Sequence, residues 1–223
     1  MEVTYIHHSA FLVQTRRFYY LFDYTQGPLP EMDPEKPIFV LSSHSHSDHY
    51  NPAVFSKLTA AGMRQIRAVL SDDIQPPESI DTLPVSPGRE YVLGHRQTLT
   101  TLRSTDLGVA FLLEDGDELI YHAGDLNDWV WDGESDAYNA DMTANYRSQI
   151  RLLKEKLRDR QIDTAFVVLD PRQEQDYDRG LRYFLENIPA KQVYPMHYWG
   201  KPGIIGTFLA AHPQYRPQIQ KTE

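Results

Sequence analysis

The chain contains no cysteine among its 223 residues. This absence excludes disulfide bonds, thiolate metal ligands and a cysteine nucleophile. No hydrophobic run approaches the ~20 residues that span a bilayer, and the first residues lack the basic segment and apolar core of a signal peptide. From these absences the sequence predicts a cytoplasmic protein that does not enter a membrane.

Basic residues are also scarce, since 22 Lys and Arg stand against 31 Asp and Glu, for a net charge of −9. No basic run could follow a phosphate backbone, so nucleic acid is not an expected partner. A hydrophobic content of 41% and a charged content of 24% are ordinary for a globular protein. The length suits a single domain over residues 1–223.

Three histidines and one aspartate stand within six residues of the chain: His44, His46, Asp48 and His49. The apolar run of residues 38–41 comes just before them and predicts a buried strand. Asn51 and Pro52 come just after them and can begin a helix. The cluster is therefore expected on a loop at the end of a strand, which argues against a solvent-exposed histidine tract.

Imidazole nitrogens and carboxylate oxygens are ligands that divalent metals prefer. His44 and His46 point the same way along an extended chain. Asp48 and His49 can then turn toward a second point nearby. One loop can thus contribute to two adjacent metal sites.

Two later strand ends offer further ligands. Gly124 lets the backbone pass close to an ion, and Asp125 could bridge two ions with its two carboxylate oxygens. A turn or a helix cap is the ordinary alternative for a Gly-Asp pair. His197 follows a predicted strand at residues 193–195, and a lone histidine there is more often structural. Only the combination with the cluster makes both residues candidate ligands.

These motifs together resemble the metallo-β-lactamase superfamily. The segments 5–13 and 21–23 are similar to the first hairpin of the branch that contains L-ascorbate-6-phosphate lactonase. The resemblance implies an α+β fold, a four-layer αββα sandwich with the metal site at one edge between the sheets. It also implies a first metal on His44 and His46, a second metal on Asp48, His49 and His197, and a bridge by Asp125.

One departure from the family concerns the first metal. Most members supply another histidine between the central motif and the Gly-Asp pair, whereas this chain has Ser104-Thr105-Asp106 there. His95 lies too early in the chain to replace it. Asp106 or Ser104 could substitute, or the first site is weak or empty. One or two divalent ions are therefore expected, with zinc favoured and manganese or iron also compatible with these ligands.

The resemblance and the metal motif predict a hydrolase that cleaves an ester, lactone or phosphoester bond by metal-bound hydroxide. Asp48 would act in catalysis by orienting that hydroxide and moving protons. A non-catalytic metal-binding or scaffold protein and a nuclease of the same fold are the alternatives. The expected partner is a small-molecule substrate, which could be anionic, while substrate identity and oligomeric state stay open.

Further polar and aromatic residues are candidates for a supporting role. Ligand imidazoles need partners that orient them, and His8 and Asp23 could serve. Arg172 could hold an anionic group, or simply pair with Glu174 or Asp176. Large aromatics near the site could wall a pocket or pack in the core. The remaining candidates are Trp129, Asp170 and Tyr198.

Strands dominate the first half of the chain, and helices alternate with strands in the second half, which predicts two sheets between helices. Residues 127–143 are acidic and show no clear periodicity, so the sequence predicts an irregular segment there. A helix is predicted over residues 144–158, because its apolar residues recur at helical spacing.

Overall fold

The structure is a computed structural model that describes residues 1–222, and within that range the strands form two six-stranded sheets. The first sheet contains β1 (Glu2–His7), β2 (Ala10–Gln14), β3 (Tyr19–Phe22), β4 (Ile38–Ser42), β5 (Ile66–Ser71) and β6 (Asp81–Val85). The second sheet contains β7 (Glu90–Gly94), β8 (Gln97–Arg103), β9 (Val109–Asp115), β10 (Glu118–His122), β11 (Ile162–Val168) and β12 (Ala190–Met196). The helices are α1 (Ala53–Ala60), α2 (Asp136–Leu157), α3 (Arg179–Asn187) and α4 (Gly203–Ala211), and short 3-10 helices cover Pro171–Asp176 and Pro213–Tyr215.

Each sheet is antiparallel at one end and parallel at the other. In the first sheet β1, β2 and β3 pair antiparallel, and β3 to β6 pair in parallel. In the second sheet β7 to β10 pair antiparallel, and β10, β11 and β12 pair in parallel. Parallel strands present their carboxyl ends to one edge of a sheet, which is where open α/β sheets bind ligands.

The central strands β2, β3 and β4 of the first sheet are buried on both faces. Successive side chains of such a strand point to opposite faces. In β4, Phe39 and Leu41 join the core between the sheets, whereas Ile38 and Val40 join a separate cluster that includes residues of α1. Each fully buried side chain of this size contributes about 1.5–3 kcal/mol. On the far side of the second sheet, the buried side chains of α2 and α3 belong to the same hydrophobic cluster as Phe39 and Leu41. The predicted α+β sandwich of four layers is confirmed.

One secondary-structure prediction is wrong in its second half. The segment 127–143 is irregular only at its start, because α2 begins at Asp136. The Ser135 side chain accepts a hydrogen bond from the Tyr138 amide and caps the helix. The first turns of α2 are largely exposed, so they carry no apolar periodicity for sequence reasoning to detect. The buried face of α2 starts only at Tyr146.

No helix among the described residues combines the length and the apolar character required to cross a lipid bilayer.

Candidate metal centre

The loop between β4 and α1 is a tight turn that carries the central histidine motif. The amides of His49 and Tyr50 both donate to the His46 carbonyl, at 2.9 and 3.0 Å. The Ser45 amide donates to a carboxylate oxygen of Asp73 at 2.7 Å. These bonds hold the loop in one conformation, as a site that binds an ion needs.

A first group of side chains, here called the inner cluster, consists of His8, Asp48, His49 and His197. Each offers one potential ligand atom, and these atoms all lie within 4.8 Å of one another. Asp48 Oδ2 lies 3.6 Å from His8 Nε2. It also lies 3.9 Å from Nε2 of His49 and of His197. Three imidazole nitrogens and one carboxylate form a donor set that suits a divalent ion such as zinc.

A second group, the outer cluster, consists of His44, His46, Asp106 and Asp125. His44 Nε2 lies 3.1 Å from His46 Nδ1 and 3.5 Å from Asp125 Oδ2. His46 Nδ1 lies 3.8 Å from Asp106 Oδ2. The side chains of His46 and Asp106 are about half exposed, at 49% and 51%. The outer cluster therefore faces solvent and has two carboxylates in its donor set.

Asp125 lies between the two clusters and presents one oxygen to each. Its Oδ1 lies 3.1 Å from His49 Nε2 and 3.3 Å from His197 Nε2. Its Oδ2 faces His44 of the outer cluster. A carboxylate that bridges two ions requires this placement.

Asp23 fixes the orientation of the His49 ring through the ring nitrogen that does not face the inner cluster. The ionised carboxylate can only accept, so His49 Nδ1 donates to Asp23 Oδ2, at 2.7 Å. The other nitrogen, Nε2, is then directed into the inner cluster. Asp23 also accepts from the amide and the hydroxyl of Ser43, each at 2.7 Å. Ser43 Oγ in turn lies 2.9 Å from His44 Nδ1, so one buried carboxylate helps to orient a histidine of each cluster.

Asp170 plays the same part for His197. His197 Nδ1 donates to Asp170 Oδ2 at 2.9 Å. Asp170 also accepts from the Arg172 guanidinium and from Trp199 Nε1. Burial opposes ionisation of Asp170, but the hydrogen bonds from His197 and Arg172 lower its pKa to about 2. It therefore remains an ionised acceptor that holds the His197 ring in place.

The carboxylates at the centre stay ionised for identifiable reasons. The imidazole of His8, whose Nε2 lies 3.6 Å from Asp48 Oδ2, holds the pKa of Asp48 well below its usual range. Burial would raise the pKa of Asp125, but the imidazoles of His49 and His197 hold it well below its usual range. Burial likewise would lower the pKa of His49, but the Asp125 and Asp23 carboxylates raise it well above its usual value. The centre thus gathers ionised carboxylates whose negative charge a cation can balance.

The residues present fit a divalent metal, on the evidence of buried polar atoms that the fold leaves unpaired. Among the described residues, Nε2 of His8, His49 and His197 and Oδ1 of Asp125 are buried and have no hydrogen-bond partner. The short distance between His49 Nε2 and Asp125 Oδ1 does not come with hydrogen-bond geometry. An unpaired buried polar atom costs about 1–3 kcal/mol. A divalent metal held by these residues would give such atoms the partners that the fold does not supply.

Gly124 allows the strand end that carries Asp125 to pass against the histidine loop. Its φ is +51°, and a Cβ added there would lie 2.7 Å from Ser43 Cβ and 2.8 Å from the Val109 carbonyl oxygen. The carbonyl oxygen belongs to the backbone and Ser43 Cβ is bonded directly to it, so neither atom can move aside easily. The close approach of these two segments therefore requires glycine.

Gly124→Ala is expected to lower the free energy of unfolding by about 1–3 kcal/mol, because the new Cβ clashes with fixed atoms and the backbone is strained. Urea denaturation of the metal-free protein measures this. Gly133→Ala is the matched control, since a Cβ there meets nothing within 4 Å. Equal effects of the two substitutions would contradict the close-approach role.

The sequence suggests that His8 orients a ligand histidine, but the structure places His8 among the candidate ligands. It sits in the turn between β1 and β2 with φ +51°, and its amide donates to the Tyr5 hydroxyl at 2.9 Å. This turn directs Nε2 toward Asp48, among the atoms of the inner cluster. His8 is therefore a candidate ligand, and Asp23 and Asp170 have the orienting positions.

Of the two residues considered as substitutes for the missing histidine, the structure brings Asp106 to the outer cluster. The Ser104 hydroxyl instead accepts a hydrogen bond from the Asp106 amide at 3.1 Å. Ser104 thus shapes the turn that presents Asp106. His95 lies in the turn between β7 and β8 and is not a member of either cluster.

The remaining candidates divide between site and core. Trp129 is 5% exposed, donates to the Asp125 carbonyl at 2.9 Å and lies edge-on to His197. Arg172 pairs with Asp170, not with Glu174 or Asp176. Tyr198 is buried, and its hydroxyl lies 2.7 Å from the Thr222 hydroxyl, so it packs in the core.

Sequence reasoning missed two residues that hold the histidine loop, Ser43 and Asp73. Ser43 directly precedes the motif, and a hydroxyl next to a ligand histidine was an available signal. Asp73 lies after β5 and bonds to the Ser45 amide across 28 residues. No local pattern marks such a contact, so only the fold reveals it.

The model of the family described as "Beta-lactamase superfamily domain" matches residues 2–139. That range includes every member of the two clusters except His197. A UPF0173 metal-dependent hydrolase of Desulforamulus reducens is 29% identical over 143 residues, which is 56% of this chain and 62% of that protein. A second UPF0173 metal-dependent hydrolase, from Haloquadratum walsbyi, is 30% identical over 148 residues with the same coverage. The chain thus spans 62% of the length of the curated relatives it matches.

A solved structure of similar fold is that of Igni18, a metallo hydrolase from the hyperthermophilic archaeon Ignicoccus hospitalis. The TM-score is 0.66 at 13% sequence identity, and the match covers 99% of this chain and 94% of that one. At this identity the likeness concerns the fold.

Proposed function

The chain belongs to the metallo-β-lactamase superfamily, and we propose that it is a metal-dependent hydrolase with a two-ion centre bridged by Asp125. The observation that carries the proposal is the set of four buried unpaired atoms that face one another in and beside the inner cluster. The bond cleaved is an ester, lactone or phosphoester bond. Family membership and the names of the relatives support metal-dependent hydrolysis.

The inner cluster would hold one ion through His8, Asp48, His49 and His197, and the outer cluster would hold the other through His44, His46 and Asp106. When bound, divalent ions lower the pKa of a coordinated water to about 7 and polarise the scissile group. We propose zinc for this role, because three imidazole donors meet in the inner cluster. Manganese and iron are the alternatives, since the outer cluster has two carboxylates.

Asp48 is the proposed catalytic residue. Its carboxylate is ionised and 31% exposed, and because Oδ2 faces the inner cluster, the other oxygen, Oδ1, would accept a proton from the attacking water. Asp23 and Asp170 hold the rings of His49 and His197 so that their Nε2 atoms face the centre. The chain therefore supplies orientation and proton transfer.

We also propose a small molecule as the substrate and the cytoplasm as the location. Cavities of 220 and 660 Å³ reach the two clusters and suit a small molecule. The net charge of −9 argues against a nucleic-acid substrate. The absence of cysteine is compatible with a reducing compartment.

The proposal is tested with protein stripped by a chelator and reconstituted with Zn²⁺ or Mn²⁺. We expect turnover of at least one of three generic substrates: bis-p-nitrophenyl phosphate, p-nitrophenyl acetate or a simple lactone. Chelation should abolish that turnover and metal should restore it. Metal bound in both clusters without hydrolysis of any substrate would favour the non-catalytic alternative. Cleavage of RNA, with strongly salt-dependent binding, would favour the nuclease alternative.

A further inference from the structure

The chain has three tryptophans, Trp129, Trp131 and Trp199, and all of them lie at the candidate metal centre. Trp129 and Trp199 lie edge-on to His197, with ring centroids 5.7 and 5.5 Å away. Trp131 stacks on Trp129 at 5.8 Å with an interplanar angle of 4°. Tryptophan buries a large flat surface, so its concentration here indicates a wall for a flat ligand.

A cavity of about 220 Å³ is lined by Trp129 and Trp131, here called the aromatic wall, and by carboxylates of the metal centre. Its walls include Asp106, Asp125, Trp129, Trp131, Tyr138 and Met142. Tyr138 and Met142 are one helical turn apart on α2, so they lie on the same face of that helix. An apolar cavity of about 150 Å³ is known to hold benzene. The volume here therefore fits one substituted ring.

The aromatic wall is held in place by hydrogen bonds. Trp129 is tied to the Asp125 carbonyl, which fixes the wall relative to the bridging carboxylate. The amide and the carbonyl of Trp131 bond to the Asn139 side chain, at 3.1 and 3.0 Å. A rigid wall loses little entropy when a ligand binds.

Arg172 lies at the rim of this cavity, between two indole rings. Its guanidinium carbon is 4.4 Å from the Trp199 centroid and 5.9 Å from the Trp131 centroid. The guanidinium donates to both oxygens of Asp170, which balances its charge. The positive charge of Arg172 at the rim is thus already balanced by Asp170. An uncharged ring therefore suits the cavity better than an anionic one.

The other cavity at the centre is different in character. Its volume is about 660 Å³, and it reaches Asp48 and His8 of the inner cluster. Besides polar residues such as Gln26 and Ser47, its walls include one large aromatic side chain, Trp199. The cavity on the Asp106 side has three aromatic side chains, Trp129, Trp131 and Tyr138, so an aromatic group is favoured there.

We propose that the cavity beside Asp106 is an aromatic subsite. The substrate would carry one uncharged aromatic ring next to the scissile bond, with the ring stacked on Trp131 and flanked by Tyr138 and Met142. This assignment rests on the proposed hydrolytic function, because that function places the scissile bond at the ions.

The test measures binding, so it does not require turnover. Phenyl phosphate and methyl phosphate are titrated into zinc-loaded full-length protein, with calorimetry or tryptophan fluorescence as the readout. Both probes offer the same anion to the ions, and only one offers a ring. We expect phenyl phosphate to bind at least about ten-fold more tightly, from burial and stacking of the ring. Trp131→Ala should remove the difference and leave the affinity for methyl phosphate unchanged.

Three variants keep the result interpretable. Trp131→Phe should retain most of the preference, since it retains an aromatic face. Tyr138→Ala, at a side chain 42% exposed, should reduce the preference without loss of folding. Val92→Ala removes an exposed apolar side chain on β7 and should change nothing. Metal content and the thermal melt of each variant are checked first.

Equal affinities of wild type for the two probes, or a preference that survives both Trp131→Ala and Tyr138→Ala, overturn the aromatic subsite. Generic hydrolysis together with equal affinities would leave the proposed function standing and remove only the subsite. Conversely, the ring preference without hydrolysis of any ester would support the subsite and count against the hydrolase.

Discussion

Asp125→Asn is expected to reduce bound metal from about two ions per chain to at most one, and to lower turnover by at least about 1,000-fold. The carboxylate presents Oδ1 to His49 and His197 and Oδ2 to His44. An asparagine keeps one acceptor oxygen and loses the negative charge, so it can serve one ion only. Elemental analysis of the purified variant and the generic ester assay measure the two effects.

The control for Asp125→Asn is Asp117→Asn, at a side chain 98% exposed in the turn between β9 and β10. That variant should bind metal and turn over substrate as the wild type does. If Asp125→Asn kept two ions per chain, Asp125 would not be the bridge.

Asp48→Ala is expected to lower turnover by about 10²- to 10⁴-fold, the usual contribution of a positioned acid–base group. The outer cluster does not include Asp48, so its ion should remain. Because Asp48 is partly exposed and near the surface of its loop, the fold should also remain. Steady-state kinetics should show the loss in kcat, and circular dichroism should show an unchanged melt in the metal-free state.

Two comparisons sharpen the Asp48 prediction. Asp48→Asn keeps the shape of the side chain and one ligand oxygen but cannot accept a proton as a carboxylate does, so it should be nearly as inactive as Asp48→Ala. Asp72→Ala, at an exposed aspartate after β5, should have wild-type kcat. Wild-type activity of Asp48→Ala would falsify the catalytic role.

The sequence was sufficient for the part of the site that is local in the chain. His44, His46, Asp48 and His49 lie in one short loop after an apolar strand, so both the ligands and their position at a sheet edge could be predicted. The two-sheet architecture also followed, because strands dominate the first half of the chain and helices alternate with strands in the second half.

The part of the site that could not be predicted depends on contacts distant in sequence. His8 reaches Asp48 across 40 residues, because it lies in a turn where its own φ is positive. No pattern in the sequence predicts that turn. The choice of Asp106 over Ser104 depends on the direction in which each side chain points from the five-residue loop between β8 and β9. The sequence did not predict that α2 begins at Asp136, because the first turns of the helix contain no buried side chains.

The measurement that tests the two-ion centre most directly is the metal content per chain, by elemental mass spectrometry on protein purified without a histidine tag and reconstituted with Zn²⁺. The two clusters predict about two ions for the wild type. They predict about one ion for Asp106→Ala, which removes a ligand of the outer cluster and leaves the inner cluster intact. A wild type that saturates at one ion, with Asp106→Ala unchanged from it, would contradict the two-ion centre.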